Sequence, residues 1–199
     1  MTVPHGPSVI LSGIGAYAPE AVLTNDDLSR MVETSDEWIR TRTGIRERHI
    51  AAEGETTSDM SSEAARKAIE DAGLEVRDIE LIVVATVTPD MPFPNTACFV
   101  QKKLGLGKIP AFDLEAACSG FIYAMDVARS LMLVSGYRHA LVIGAEKLSS
   151  ITNWDDRTTC VLFGDGAGAA VLSLSEEPEV GILDTLLGAD GTETGILCV

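Results

Sequence analysis

The chain of 199 residues is poor in the groups that announce metal, disulfide or nucleic-acid chemistry. Its four cysteines stand apart at 98, 118, 160 and 198 with no C-x-x-C pair, and its three histidines, His5, His49 and His139, are equally scattered. That is neither a zinc ligand set nor a secreted disulfide framework, so no metal is expected. Positive charge is also scarce: 15 Lys and Arg against 30 Asp and Glu give a formal net charge of −15. Such a balance argues against nucleic acid or an anionic membrane as the main partner. No apolar run reaches the length of a membrane span, and the N-terminus has no basic region leading into an apolar one. A cytoplasmic protein is the expectation.

What is present is a hydrophobic content of 46%, enough to bury a sizeable core in one large domain or one and a half ordinary ones. Residues 8–17 read as a buried strand entering a glycine-containing turn. Thr24 is placed to cap a short helix with Asp27 at its third position, and Thr34 or Ser35 to cap the next, which ends before Gly44. A long polar loop is expected from there to about residue 57. Met60, Ala64, Ala65, Ala68, Ile69 and Ala72 then fall on one helical face, with Gly73 where a C-terminal cap belongs. The run 79–87 is nearly unbroken in apolar, β-branched residues, as in a strand covered on both faces. Prolines at 89, 92 and 94 force a loop. A helix over 95–104, a strand over 110–115, a helix over 119–134 and a buried strand over 139–145 follow, with Gly105 and Gly136 as the helix stops. Strand and helix alternate, which predicts an α/β layered fold.

Three stretches bear on chemistry. The first is Cys118, between the strand ending near Glu115 and the helix beginning near Phe121, among Ala116, Ala117, Ser119 and Gly120. The partial positive charge at a helix start favours thiolate over thiol, and small neighbours leave room for a substrate. A buried structural cysteine is the competing reading, and the junction position favours the nucleophile. The second is Arg40, Arg42, Arg46 and Arg48 near Trp38: either a solvated, salt-bridged face or a cationic patch for a phosphorylated, adenine-bearing ligand. The third is Gly164-Asp165-Gly166-Ala167-Gly168. A dinucleotide fingerprint needs a helix after its glycines, whereas Ala169 to Leu174 reads as a strand; the dinucleotide reading is rejected in favour of close backbone packing.

Thr34-Ser35-Asp36-Glu37-Trp38, Thr41-Arg42-Thr43-Gly44-Ile45-Arg46-Glu47-Arg48, Ala116-Ala117-Cys118-Ser119-Gly120-Phe121 and Phe163-Gly164-Asp165-Gly166-Ala167-Gly168-Ala169-Ala170 together resemble the β-ketoacyl-[acyl carrier protein] synthase III family. The resemblance runs over essentially the whole chain. It implies a thiolase-like layered α/β fold of two pseudo-twofold-related halves, assembled as a homodimer. Residues 1–177 would be the half carrying the nucleophile, and 178–199, from Pro178, the opening of the second half. By the same resemblance Cys118 takes an acyl group from acyl-CoA and passes it to malonyl-[acyl carrier protein], with loss of CO2, in the initiating condensation of dissociated fatty acid synthesis. Acyl-CoA is then a substrate and no cofactor is implied.

Carried over residue by residue, Trp38 would stack on the adenine of CoA with Arg157 against its other face. Thr34 would hydrogen-bond the nucleotide, and Arg42 would lie near the phosphates. Phe93, in the proline loop, would cross the dimer interface and limit the partner's acyl pocket. Cys98, Cys160 and Cys198 are expected as buried apolar residues without a role. The family's decarboxylating histidine and asparagine belong to its second half, and none of His5, His49 or His139 falls in the matching motif. The expectation is therefore that these 199 residues alone do not complete the condensation. A related polyketide-priming or non-decarboxylating acyltransferase, or a non-catalytic dimerisation fragment, are the alternatives.

Overall fold

The structure, a computed structural model, describes residues 7–177 and 180–195; His5, Pro178, Cys198 and the apolar run ending at Val199 lie outside the described residues. Among the described residues seven strands and five α-helices follow in the order β1 (Ser8–Tyr17), β2 (Ala21–Thr24), α1 (Asn25–Leu28), α2 (Asp36–Thr43), β3 (Glu47–Ile50), α3 (Thr57–Asp71), β4 (Leu81–Ala85), α4 (Thr96–Leu104), β5 (Ala111–Leu114), α5 (Gly120–Ser135), β6 (His139–Lys147) and β7 (Asp165–Ser175). The main sheet has the order β1-β7-β6-β4-β5. Its β6-β4-β5 side is parallel, and β7 and β1 are antiparallel additions.

Side-chain alternation on β4 divides the core. Ile82 and Val84 face a layer formed by α3 and α4 through Met60, Ala64, Ala68, Ala97 and Val100. Leu81, Val83 and Ala85 face α5 through Ala124, Ala128 and Met132. Burial on both faces explains why 79–87 reads as an unbroken apolar run. The closest seam joins β1 to α3. A Cβ on Gly13 would lie 2.4 Å from the Ala68 carbonyl oxygen, and one on Gly15 would lie 2.2 Å from that of Ala64. Only glycine allows backbone to approach backbone so nearly.

Local signals hold where the reading placed them. Thr24 closes the expected capping box with Asp27, and Ser35 rather than Thr34 caps α2; Thr56 closes a second box with Asp59 that was not expected. Gly44, Gly105 and Gly136 end α2, α4 and α5 in the left-handed conformation.

Three expectations are corrected. The loop expected between Gly44 and residue 57 contains β3, which pairs antiparallel with β2 as a separate two-stranded ribbon. The strand expected from Ala169 to Leu174 begins earlier, at Asp165, and takes in the glycine run after Gly164. Finally, the continuous helical stretch Ala117–Ser135 is long and apolar enough to cross a membrane by length and composition, contrary to the expected lack of such a run. The turn before α5 extends it to that length. Gly120, Ala124, Ala128 and Met132 bury one face of this helix inside the protein, while Asp126 and Arg129 interrupt it.

Candidate active site

The parallel strands β4, β5 and β6 point their C-terminal ends the same way, and ligands of α/β folds collect at that edge. The segment after β4 carries Phe93, the one after β5 carries Cys118, and the one after β6 carries Arg157. Buried or half-buried carboxylates brace these segments. Glu146 near the end of β6 accepts the Val87 N–H at 3.0 Å and the Thr88 hydroxyl at 2.6 Å. Asp113 on β5 accepts the N–H groups of Thr96 and Ala97 at 2.6 and 2.8 Å, capping α4. Asp165 accepts from Ala51 N–H, Ser149 N–H and the Ser149 hydroxyl, joining β3 and the segment after β6 to β7. None of these braces was singled out from sequence. The one available signal was a charged residue at the edge of an apolar run.

Cys118 lies in a short 3-10 turn, Ala117–Ser119, that feeds directly into α5. It is exposed and free of disulfide. Gly120 beside it is buried, and a Cβ there would meet the Ala85 Cβ at 3.2 Å, so the helix begins against the end of β4. Ala117 has φ of +44°, the one non-glycine residue with positive φ among the described residues. The thiol therefore stands at a tight strand-to-helix turn, open to a substrate. A sealed, structural cysteine is excluded. Cys160, by contrast, is buried, and burial together with nearby Asp156 pushes its thiol pKa up despite Arg48. Cys98 is half-buried rather than fully buried as expected.

A second cluster forms on α2. The guanidinium carbons of Arg42 and Arg157 lie 4.4 and 4.8 Å from the centroid of the Trp38 ring. Arg157 also donates to the Glu33 carbonyl at 2.7 Å, and the neighbouring Thr34 Oγ1 is buried without a partner. Of the residues carried over for the nucleotide, Arg42 and Arg157 are thus gathered on the Trp38 indole, and Thr34 follows the Glu33 carbonyl that Arg157 holds. Their arrangement differs from the expected one in one respect: Arg157 lies directly over Trp38, with no gap for a base between them. Arg48 is not part of the cationic patch at all, being 5% exposed. Arg40 pairs with Asp36 at 3.3 Å and, with Arg46, lines a shallow cavity of about 500 Å³ on another side of α2.

Phe93 is 84% exposed at the tip of the proline loop. No hydrogen bond or ring contact among the described residues joins Cys118 to the Trp38 cluster; the two stand on separate segments. His139 Nδ1 meets the Ser173 hydroxyl at 2.8 Å at the N-terminal end of β6, opposite the edge that carries Cys118, and burial lowers its pKa, with help from Arg138. His49 Nδ1 meets the Pro19 carbonyl at 2.5 Å. Among the described residues no three His, Cys, Asp or Glu side chains converge as a metal set.

A mixed sheet between helical layers, with a free thiol at the turn where a parallel strand enters its helix, is the architecture of thiolase-like enzymes. Solved structures align accordingly. The 3-oxoacyl-(acyl carrier protein) synthase III of Pseudomonas aeruginosa PAO1 matches with a TM-score of 0.86 and 40% identity, over 96% of this chain and 60% of its own. The priming β-ketosynthase of the R1128 polyketide biosynthetic pathway matches with a TM-score of 0.81 and 38% identity, over 89% and 53%. Residues 112–191 match the family model described as 3-Oxoacyl-[acyl-carrier-protein (ACP)] synthase III. The β-ketoacyl-[acyl-carrier-protein] synthase III of Xylella fastidiosa (strain Temecula1) is 57% identical over 187 residues, which is 94% of this chain and 57% of that protein. The chain belongs to the β-ketoacyl-[acyl carrier protein] synthase III family. It spans little more than half the length of the curated relatives it matches.

Proposed function

We propose that this chain is the nucleophile-bearing, first half of an initiating condensing enzyme, with Cys118 as the acyl carrier. The observation that carries this reading is the exposed thiol at the start of α5. In the first step the Cys118 sulfur attacks the carbonyl carbon of acyl-CoA. The bond to the CoA sulfur breaks and CoA leaves, taking a proton. Exchange between thioesters is nearly balanced in energy, so splitting the reaction at a covalent intermediate lowers each barrier. The Cys118 backbone N–H supplies one donor to the oxyanion. In the second step malonyl-[acyl carrier protein] loses CO2, and the resulting carbanion attacks the acyl-cysteine carbonyl. A carbon–carbon bond forms, the bond to Sγ breaks, and 3-oxoacyl-[acyl carrier protein] leaves. The decarboxylating histidine and asparagine would come from the second half, since His49 and His139 are engaged elsewhere.

Trp38, Arg42, Thr34 and Arg157 would hold the nucleotide end of CoA by stacking and charge-assisted hydrogen bonds. Phe93 would reach into a partner subunit across a homodimer interface. No cofactor beyond the substrates is required, and a cytoplasmic setting follows from the substrates. A polyketide-priming role is the second reading, favoured by the likeness to the R1128 priming enzyme.

Incubation with acyl-CoA labelled in the acyl group tests the first step. Label should appear covalently on the chain and vanish in Cys118→Ala. A folded chain that takes no label, or a Cys118→Ala variant that still takes it, refutes the assignment.

A further inference from the structure

Arg48, on β3, is hard to account for as a surface charge. It is 5% exposed, and among the described residues no carboxylate lies within 4 Å of it. A buried cation without a counter-ion is costly, and an apolar side chain of similar volume would avoid that cost. Instead its guanidinium donates to three oxygens on two segments far apart in sequence, the β2–α1 junction and the stretch before β7. Nη1 reaches the Leu23 carbonyl on β2 at 2.9 Å, and Nη2 reaches Asn25 Oδ1 on α1 at 2.9 Å and the Val161 carbonyl at 3.1 Å.

Two of those contacts lead to the Trp38 cluster. Asn25, itself 1% exposed, donates from Nδ2 to Asp36 Oδ1 at 2.8 Å in the first turn of α2 and to the Ile45 carbonyl at 2.9 Å just past its end. It thus grips both ends of the helix that carries Trp38 and Arg42. The Val161 carbonyl belongs to the segment carrying Arg157, whose turn closes through the Cys160 N–H on the Asp156 carbonyl at 3.0 Å. Gly164 lets that segment pass close: a Cβ there would come within 2.9 Å of the Arg48 Cβ. One guanidinium and one amide therefore join the two walls that meet at the Trp38 ring.

We propose that Arg48, acting through Asn25, is a positioning residue for the nucleotide site, holding the segment of Arg157 against α2 so that Arg157 and Trp38 face each other. This rests on the reading of Trp38 and Arg157 as nucleotide-binding residues. A planar guanidinium reaches three acceptors at fixed angles, which neither lysine nor an apolar residue does.

The probe is CoA itself, with its dissociation constant measured by calorimetry and Trp38 fluorescence. Arg48→Met should melt cooperatively and leave the rate of Cys118 alkylation by iodoacetamide within about twofold, yet weaken CoA binding roughly tenfold. Arg48→Lys should recover part of the loss. Arg157→Ala should add little further weakening in the Arg48→Met background, because the two act on the same contact. A purely structural residue would give no such coupling. Binding within about twofold of the parent, or losses that add fully, overturns the proposal. If Arg48→Met does not fold, Asn25→Asp carries the test. It keeps a partner for Arg48 but removes both Nδ2 donations, and the same loss and coupling are expected, with unchanged affinity as the overturning result. Failure of the parent chain to bind CoA overturns the nucleotide reading itself, and this proposal with it, before any variant is made.

Discussion

Arg157 lies where a stacked base would have to sit, and that position predicts how binding proceeds. An aromatic ring needs about 3.5 Å on each face, so a base held between Trp38 and Arg157 needs about 7 Å between them. The observed 4.8 Å leaves roughly 2 Å to be opened. Opening breaks a cation–π contact worth ~0.5–1 kcal/mol at a half-exposed site. It also breaks the hydrogen bond to the Glu33 carbonyl, worth about 1 kcal/mol net. Together these impose about 1.5–2 kcal/mol on insertion of the base, a factor of roughly 10–30 in rate. Arg157→Ala should therefore bind CoA faster but hold it less well, with the dissociation rate rising more than the association rate. Stopped-flow fluorescence of Trp38 in a Trp154→Phe background reads both constants. High salt should be used, so that loss of electrostatic steering does not mask the gain. An association rate that is unchanged or slower in Arg157→Ala refutes the reasoning.

Gly15→Ala should destabilise the chain by about 3 kcal/mol or more, because the added methyl meets the Ala64 carbonyl at 2.2 Å and neither backbone can withdraw. A fall in urea midpoint of less than about 1 kcal/mol equivalent would show that the seam yields. At Asp59, burial raises the carboxyl pKa, but Lys103 at 2.5 Å and the Thr56 hydroxyl and N–H outweigh it and hold it below 3.8. The unfolded chain then binds more protons near that value, so this contribution is full above about pH 5 and is lost as pH falls through 3.8 and below. Urea midpoints against pH should show a shallower acid loss in Asp59→Asn. Phe93→Ser should leave stability within about 0.5 kcal/mol, since the ring is exposed, while weakening self-association in sedimentation. Unchanged association removes Phe93 from the proposed interface.

Much of the frame was legible because its signals are local. Thr24, Ser35, Gly44, Gly105 and Gly136 act within a turn of their own position, and the unbroken run at 79–87 reflects a strand buried on both faces. The ribbon of β2 and β3 was not legible. Each strand is four residues long, β3 includes Glu47, Arg48 and His49, and the two pair across more than twenty residues of sequence. Within the candidate site, Cys118 could be found from its small neighbours, and Trp38 with Arg42 from the run of arginines beside the tryptophan and the family resemblance. Arg48 could not. An arginine beside three others reads as surface, and only the converging carbonyls of Leu23 and Val161 reveal it as interior. Asp113, Glu146 and Asp165 escaped for the same reason: their partners are backbone N–H groups brought near by the fold.

Ala117 holds its φ of +44° without being a glycine, at a cost of roughly 1–3 kcal/mol. Such a posture cannot originate in the residue; the strand before it and the helix after it must impose it jointly. The sulfur of Cys118, the proposed nucleophile, is consequently aimed by a taut hinge rather than by side-chain partners of its own. A glycine at 117 would relieve the tension and let the Cys118 side chain wander. In this chain, reach and comfort at that turn are traded against each other, and the alanine keeps the aim.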